Sequence, residues 1–420
     1  MTISELSKPC SPSVEFNKEQ ILAFRLQNMS LSAAFPPSRI EEAFGGWVMQ
    51  NTPPGVWETA LHTRMPSLPL SHIEEALSLG KTLIQAWSLR GAPCIFPASE
   101  REIFLTALLP EAGEDWIYTR GISGALDHLG MSQEELLPMV EQAALLLEDT
   151  VITGKSSLDH ALAERVAPEL SPDRRERWYS PSIYGANQTM GEAAVSFLLR
   201  PCALKQLVVF GKKQKTSPTF TSLHHWYKDQ PVPPSFSEDI VPALVKRYLH
   251  CYGPATPQMF ADTLGCSLRQ ARRMWQTVLE PVIPVKTPCG TSYLLERDRK
   301  AMEHAARSLP APDSSEAVRL LPPHDPFLDA RDRALLLPDS TRQKEIWKIT
   351  GNPGAILING NIIGMWKALK VSSSLRAEAV LWAPFSAAVK QEIENWFLRY
   401  ASFRGLKLQK TDFTYKERRA

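Results

Sequence analysis

The chain has 420 residues, of which 44% are hydrophobic, so it can bury real cores and is long enough for about three domains. Its 47 basic and 45 acidic side chains leave a net charge of only +2, which excludes binding to nucleic acid through global charge. Any surface for nucleic acid must therefore come from local clusters of Lys and Arg.

The first third predicts helices followed by a β-hairpin. A polar leader over residues 1–17 precedes three amphipathic stretches. Apolar residues at helical spacing predict these helices at residues 18–28, 56–64 and 73–79. Residues 84–96 then form two short apolar runs around a turn, which is typical of a hairpin. We interpret residues 18–98 as a first winged-helix module.

The middle third repeats this order less cleanly over residues 99–230. Helical spacing is present at residues 102–108, 133–148, 158–166 and 192–199. A hairpin is predicted over residues 204–223, and its tip carries Lys212, Lys213 and Lys215. These lysines either contact phosphates or belong to a solvated turn. We favour phosphate contact because the hairpin closes a module of the winged-helix order.

Residues 237–308 contain the clearest pattern of the chain, a helix-turn-helix at residues 256–279. Thr256 and Pro257 suit a helix start, and Gly265 suits a helix end. The second helix combines an apolar stripe with basic positions. The stripe consists of Leu268, Ala271, Trp275 and Val278, and the basic residues are Arg269, Arg272 and Arg273.

An ordinary helical hairpin with a solvated basic face explains that spacing equally well. The neighbouring elements favour the helix-turn-helix. A helix is predicted at residues 240–252 before it, and apolar runs at residues 282–285 and 291–295 predict a hairpin after it. Helix, helix-turn-helix and hairpin together are the order of a winged helix, so we interpret this region as a third module.

The last part, residues 316–420, changes character and predicts a small β-rich domain. Strand-like runs occur at residues 318–321, 355–359, 362–365 and 379–382. Asn359–Gly360 is a hairpin signal between two of them. An amphipathic helix at residues 386–403 is expected to cover the strands, and a basic tail follows.

The six cysteines have no CxxC spacing and no neighbouring histidine cluster, so we expect reduced thiols and no metal site. No signal segment or membrane-spanning run is present, which predicts a cytoplasmic protein. The sequence also lacks GxSxG, HExxH and GxxxxGKS, so the common hydrolase, metalloprotease and nucleotide-binding signatures give no candidate site.

Several separated blocks together resemble the AlkZ/YcaQ family of winged-helix DNA glycosylases. The blocks are residues 45–64 (GGWVMQNTPPGVWETALHTR), 85–97 (QAWSLRGAPCIFP), 247–264 (RYLHCYGPATPQMFADTL), 319–328 (RLLPPHDPFL) and 360–367 (GNIIGMWK). The resemblance implies an α+β fold of three tandem winged-helix modules followed by a small C-terminal β-barrel-like domain. It also implies removal of bulky alkylated purines or crosslinks from double-stranded DNA without a metal. We further expect a monomer that needs no cofactor.

The resemblance also assigns roles to particular residues. The family carries Gln-x-Gln, or Gln-x-Asp in a second branch, after the early helices of the first module. Gln50 matches the second residue of that motif, and Val48 stands in place of the first. Gln50 is thus the candidate catalytic residue, although a glutamine that satisfies a loop amide explains this single residue equally well.

Further candidates for DNA contact lie in the other matching blocks. Arg90 matches the first residue of the family's Arg-Gly-Thr, in the predicted first wing, and His324 and Trp366 lie in the two C-terminal blocks. A turn-forming role is the first interpretation of Asp325, before Pro326. Two other functions stay open: a DNA-binding sensor or regulator of the same fold without catalysis, and a protein-interaction scaffold.

Overall fold

The computed structural model describes residues 14–235 and 239–416. The first thirteen residues of the predicted leader, residues 236–238 and the basic tail after Lys416 lie outside them. Backbone contacts divide the described chain into two compact units. The first comprises residues 14–74, 245–263 and 272–416, and the second comprises residues 75–235, 239–244 and 264–271. This division is coarser than the five parts predicted from sequence.

The helices, in chain order, are α1 Lys18–Asn28, α2 Val56–Arg64, α3 Leu70–Ser78, α4 Arg101–Phe104, α5 Ser123–Leu129, α6 Gln133–Ala144, α7 Lys155–Val166, α8 Pro172–Trp178, α9 Met190–Leu204, α10 Leu223–Trp226, α11 Ile240–Tyr252, α12 Pro257–Leu264, α13 Leu268–Gln276, α14 Arg299–Ala305, α15 Arg333–Leu336, α16 Ser340–Ile346 and α17 Ala387–Phe403. Reciprocal capping boxes start α1, α6 and α9. In each, an Asn, Ser or Thr side chain accepts from the third helical amide.

The strands are β1 Val14–Glu15, β2 Met49–Gln50, β3 Leu83–Trp87, β4 Pro93–Pro97, β5 Ile152–Thr153, β6 Val209–Gln214, β7 Ser217–Thr221, β8 Val282–Thr287, β9 Gly290–Leu295, β10 Val318–Leu321, β11 Gly354–Ile358, β12 Asn361–Val371, β13 Ser374–Leu381 and β14 Lys407–Tyr415. The four predicted hairpins are confirmed as the antiparallel pairs β3–β4, β6–β7, β8–β9 and β11–β12. The mixture of helices and sheets confirms the α+β class.

The second unit is built on a sheet in which its strands follow the order β4-β3-β6-β7-β5. Helices α6, α7 and α9 pack together beside it. Their apolar faces form one core with Trp87 of β3 and Phe220 of β7, whose rings stack with centroids 5.4 Å apart. The sequence places apolar residues at helical spacing on each of these helices, so the core follows from the predicted pattern.

The first unit contains the C-terminal sheet, whose strand order is β10-β11-β12-β13-β14. All pairs are antiparallel except β13–β14, which is parallel. Helix α17 covers one face with Val389, Ile393 and Phe397. Within the described chain β10 and β14 do not pair with each other, so this sheet is open. The barrel-like closure implied by the resemblance is wrong here, because β10 and β14 remain the two edges of the sheet.

Two buried ion pairs tie distant parts of the first unit together. Both oxygens of Asp325 accept from the guanidinium of Arg64, at 2.8 and 3.1 Å, and Asp325 Oδ1 also accepts from the amide of Phe327 at 3.0 Å. Arg25 is paired in the same bidentate way with Asp332, at 2.8 and 2.7 Å. Separating either pair would leave a charge buried and unpaired, which is costly. The pairs therefore hold α1 and α2 against the segment that carries Asp325 and Asp332. Asp325 is therefore a structural turn residue.

His62 of α2 is a buried and neutral histidine in the first unit. It is 1% exposed, its ring stacks on Phe403 at 4.5 Å, and neither ring nitrogen has a hydrogen-bond partner among the described residues. Burial, helped by the charges of Arg399 and Arg404, lowers the pKa of His62 to about 4. A charged imidazole is thus excluded from the folded state near neutral pH.

This histidine predicts a loss of stability in acid. Because the folded pKa lies below the unfolded value of about 6.5, the unfolded state takes up the proton first. The contribution of neutral His62 to the free energy of unfolding is fully present above about pH 6.5. Between pH 8 and pH 5 the free energy of unfolding should fall by about 2 kcal/mol. Urea unfolding of wild type and His62→Phe at both pH values measures it. Equal pH dependence in the two proteins would contradict the assignment.

The described cysteines, at positions 94, 202, 251, 266 and 289, are free thiols. Cys10 lies outside the described residues. In the described part of the chain, no helix is long and apolar enough to cross a membrane.

Candidate active site and nucleic-acid interface

Gln50 lies at the end of a short buried segment in the first unit. The side chain of Trp47 packs against Tyr248 and Tyr252, with ring centroids 5.8 and 5.4 Å apart. Val48 is also buried. Gln50, the last residue of β2, is half-buried. The aromatic packing therefore fixes the backbone from which the Gln50 amide projects.

The loop after Gln50 is held by two polar side chains. The amide of Gly55 donates to Asn51 Oδ1 at 2.7 Å, which closes the loop onto its own start. Arg404, after α17, donates to the carbonyl oxygen of Gly55 at 2.9 Å and to Thr59 Oγ1 at 2.7 Å, and it pairs with Glu58. These contacts make the segment a preorganised one.

The charge state of this anchor is fixed as well. Burial acts to lower the pKa of Arg404, but the neighbouring Tyr400 and Glu58 outweigh it and raise the pKa above its ordinary value. Arg404 therefore stays cationic, and its ion pair with Glu58 holds the first turn of α2 in place.

The residues two positions before and two positions after Gln50 differ in exposure. Val48, which stands at the family's first Gln, is 5% exposed, so a side chain at this position points into the core. Thr52, two residues after Gln50, is exposed. The sequence interpretation did not consider Thr52, because the family motif led only to Val48 and Gln50.

The basic hairpin tip belongs to the second unit. Lys212, Lys213 and Lys215 are all exposed. β6 extends to Gln214, so Lys212 and Lys213 lie in a bulge of the strand and only Lys215 lies in the turn. The hydroxyl of Thr219 donates to the Lys212 carbonyl oxygen at 2.9 Å and fixes the bulge. The three ammonium groups are thus carried by a defined hairpin.

Replacing Lys212, Lys213 and Lys215 with alanine should weaken duplex binding with little dependence on sequence. Each lost phosphate contact should lower the slope of log K against log salt by roughly 0.9. Fluorescence anisotropy across a salt series measures both quantities. The matching triple arginine variant keeps the charge and should retain the slope. An unchanged slope in the alanine variant would assign these lysines to a solvated turn.

Arg90 sits in the turn of the β3–β4 hairpin, also in the second unit. Its backbone is left-handed, with φ 53°, and its side chain is half-buried. A Cβ placed on Gly265 would lie 3.0 Å from Arg90 Cγ, so the hairpin tip contacts the turn between α12 and α13. The structure thereby brings Arg90 close to the start of the helix that carries Arg269.

The predicted two faces of α13 are present. Ala271, Trp275 and Val278 are buried, as the stripe predicts, whereas Leu268 is half-buried. On the other side, Arg269 and Arg272 are exposed and Arg273 is half-buried. The basic positions are therefore accessible to a ligand, as a recognition helix requires.

The two C-terminal candidates differ. His324 is half-buried with φ 60°, and its Nε2 lies 3.4 Å from Asn352 Nδ2. Trp366 does not fit its predicted contact with DNA, because it is 5% exposed, its indole N–H donates to the Leu321 carbonyl oxygen at 2.9 Å, and its ring packs in the core under α17. Core packing explains why this tryptophan stands in one of the matching sequence blocks.

Among the described residues, no three His, Cys, Asp or Glu side chains come together in a way that could hold a metal ion.

The family model for AlkZ-like DNA glycosylases matches residues 47–403, which include Gln50, Arg90 and the basic residues of α13. The chain belongs to the AlkZ-like family of DNA glycosylases. The buried segment that ends at Gln50 thus lies at the start of the region that the AlkZ-like family shares.

Two individual comparisons agree with the AlkZ-like assignment. The chain is 22% identical over 363 residues to an interstrand DNA cross-link repair glycosylase of Streptomyces sahachiroi, covering 83% of this chain and 87% of the relative. Its fold is similar to the solved structure of the Streptomyces sahachiroi DNA glycosylase AlkZ, with a TM-score of 0.70 and 16% identity over 96% of this chain and all of the other.

Proposed function

We propose that the chain is a monofunctional DNA glycosylase that hydrolyses the N-glycosidic bond of bulky alkylated purines or crosslinks in double-stranded DNA, acting as a monomer without metal or cofactor. The observation that carries this proposal is the family match over residues 47–403. A preorganised segment at Gln50 and exposed basic residues on β6 and α13 support it. The relative from Streptomyces sahachiroi is described as a cross-link repair enzyme.

The proposed architecture is finer than the two units. We propose that the hairpins β3–β4, β6–β7 and β8–β9 are the wings of three tandem winged-helix modules, at residues 18–98, 99–230 and 237–308. Residues 316–420 form the fourth part. The support is that each hairpin follows helices in the predicted order, and that α12, Gly265 and α13 form a helix-turn-helix with a left-handed glycine.

The proposed chemistry uses the charge of the lesion. An N-alkylated purine is cationic, so when the bond from its nitrogen to C1′ breaks, the electron pair neutralises the departing base and no acid is needed. A water then adds to the electron-poor C1′ and loses a proton to solvent. In this proposal Gln50 orients the water through its amide oxygen and stabilises the positive charge on the sugar.

Thr52 is proposed as the second group that holds the water. Its exposed hydroxyl both donates and accepts hydrogen bonds, as the partner of Gln50 must. DNA binding is assigned to Lys212, Lys213, Lys215, Arg269, Arg272 and Arg273, with Arg90 at the tip of the first wing and His324 beside the C-terminal sheet. These side chains supply phosphate contacts that are independent of sequence.

A comparison of leaving groups tests this proposal. Duplexes with one N7-alkylguanine should release the modified base and leave an uncleaved abasic strand. Duplexes with one uracil, a neutral base that needs stronger activation, should release nothing. Mass spectrometry of the freed base, with gel analysis of the strand, measures both. Equal release from both duplexes, or strand cleavage without alkali, would contradict the mechanism. Binding without any release would favour a DNA-binding sensor or regulator.

A further inference from the structure

Tyr118 of the second unit is an exposed aromatic residue that the catalytic proposal does not use. It is 50% exposed and has a left-handed backbone, with φ 64°. A bulky side chain adopts this conformation only where its surroundings hold it. The hydroxyl of Thr119 donates to the Trp116 carbonyl oxygen at 3.0 Å, and the amide of Ile122 donates to the Thr119 carbonyl oxygen at 3.0 Å. The ring is thus displayed by an ordered turn.

The tip of the β3–β4 hairpin supports this ring. Gly91, next to Arg90, approaches it so closely that a Cβ on Gly91 would lie 2.6 Å from Tyr118 Cγ and 2.7 Å from its Cβ. No side chain fits there without moving the ring, and Gly91 itself has φ 65°. The position of Tyr118 is therefore coupled to the hairpin turn that carries Arg90.

A cation supports the ring from within the unit. The guanidinium carbon of Arg200 lies 5.3 Å from the centroid of Tyr118 and 5.3 Å from that of the buried Trp87. Arg200 donates to the Ser196 carbonyl oxygen, one turn earlier on α9. Since Trp87 belongs to the core of this unit, the chain of contacts from core to guanidinium to exposed ring is rigid.

We propose that Tyr118 stacks on a nucleobase of the bound duplex. An exposed ring held in place by Gly91 and by the Arg200 guanidinium matches the chemistry of a base, which offers a π face for stacking. The inference rests on the proposed function for its choice of DNA as the ligand. It adds a residue of the second unit that positions the bound duplex by stacking on one of its bases.

Affinity and photocrosslinking test the proposal on the full chain. The probes are duplexes with one N7-alkylguanine, each with one 5-iodouracil at a different distance from it. Tyr118→Ala should weaken binding about 5-fold to 100-fold, whereas Tyr118→Phe should bind within about 2-fold of wild type, because the ring alone stacks. Irradiation of the wild-type complex should crosslink the iodouracil to the peptide that contains Tyr118.

Two further variants separate stacking from general disturbance. Gly91→Ala should lower affinity and crosslinking together, because its methyl group displaces the ring. Tyr179→Ala is the matched control: it is 45% exposed in the same unit, and its hydroxyl contacts Glu164 at 3.3 Å. It should bind like wild type. Thermal melts check that all variants fold.

The outcomes distinguish this inference from the proposed function. If wild type releases the base but Tyr118→Ala binds equally well and the crosslinks fall on other peptides, the stacking role is overturned and the glycosylase stands. If wild type releases nothing but Tyr118 crosslinks and its alanine variant binds weakly, stacking stands and the glycosylase falls. A loss of affinity in Tyr118→Phe equal to that in Tyr118→Ala would also overturn stacking.

Discussion

Replacing Gln50 with alanine is expected to slow single-turnover release of an N7-alkylguanine at least about 100-fold, the size of effect seen when one preorganised group at a reacting centre is removed. Affinity for the same duplex should stay nearly unchanged, because phosphate contacts carry most of the binding. The residue lies in a segment fixed by Trp47 and Asn51, so the loss should be chemical and not conformational. Base release and anisotropy on the same substrate measure both effects. Wild-type release by the variant would remove Gln50 from the mechanism.

Two neighbouring substitutions sharpen this prediction. Thr52→Gln should raise the rate, because Thr52 is exposed and a longer amide there can share the water with Gln50. Val48→Gln should instead destabilise the fold, because Val48 is buried and an amide there loses its hydrogen bonds with water. A higher rate in Val48→Gln, with none in Thr52→Gln, would restore the original alignment of the family motif.

Replacing Trp275 with alanine should cost about 3–5 kcal/mol of unfolding free energy, as for a large side chain removed from a packed core. Trp275 is 2% exposed, and its ring lies 5.9 Å from Phe260 and 6.3 Å from Tyr293. Urea unfolding measures the change. Arg272→Ala on the same helix is the control and should shift stability by less than about 0.5 kcal/mol. A free energy of unfolding of Trp275→Ala close to that of wild type would contradict the packing described for α13.

The sequence predicted best the elements with local signals. Helices α1 and α2 begin and end where helical spacing placed them, and the turn of the β3–β4 hairpin lies at the predicted position. Boundaries were less accurate where two patterns compete. Leu204 was predicted to start a strand, but it ends α9, because its apolar neighbours continue the helical stripe. β14 was missed because its exposed polar residues show no apolar period.

The candidate site depends on contacts that no local pattern contains. Arg64 and Asp325 are 261 positions apart, and their ion pair explains why Asp325 is buried. Trp366 looked like a surface aromatic in a family block, and only the sheet register shows that its side chain points towards α17. The contacts of Tyr118 with Gly91 and Arg200 likewise join residues that are far apart in the sequence. Side-chain direction, more than element type, is what the sequence did not provide.

Base release by the wild-type protein tests the central claim most directly. Excess full-length protein is mixed with a duplex carrying one N7-alkylguanine, and the free base is quantified over time beside an unmodified duplex. The account predicts single-exponential release of the alkylated base, an intact abasic strand and no release from the unmodified duplex. Saturated binding of the alkylated duplex with no release above the spontaneous rate would contradict it.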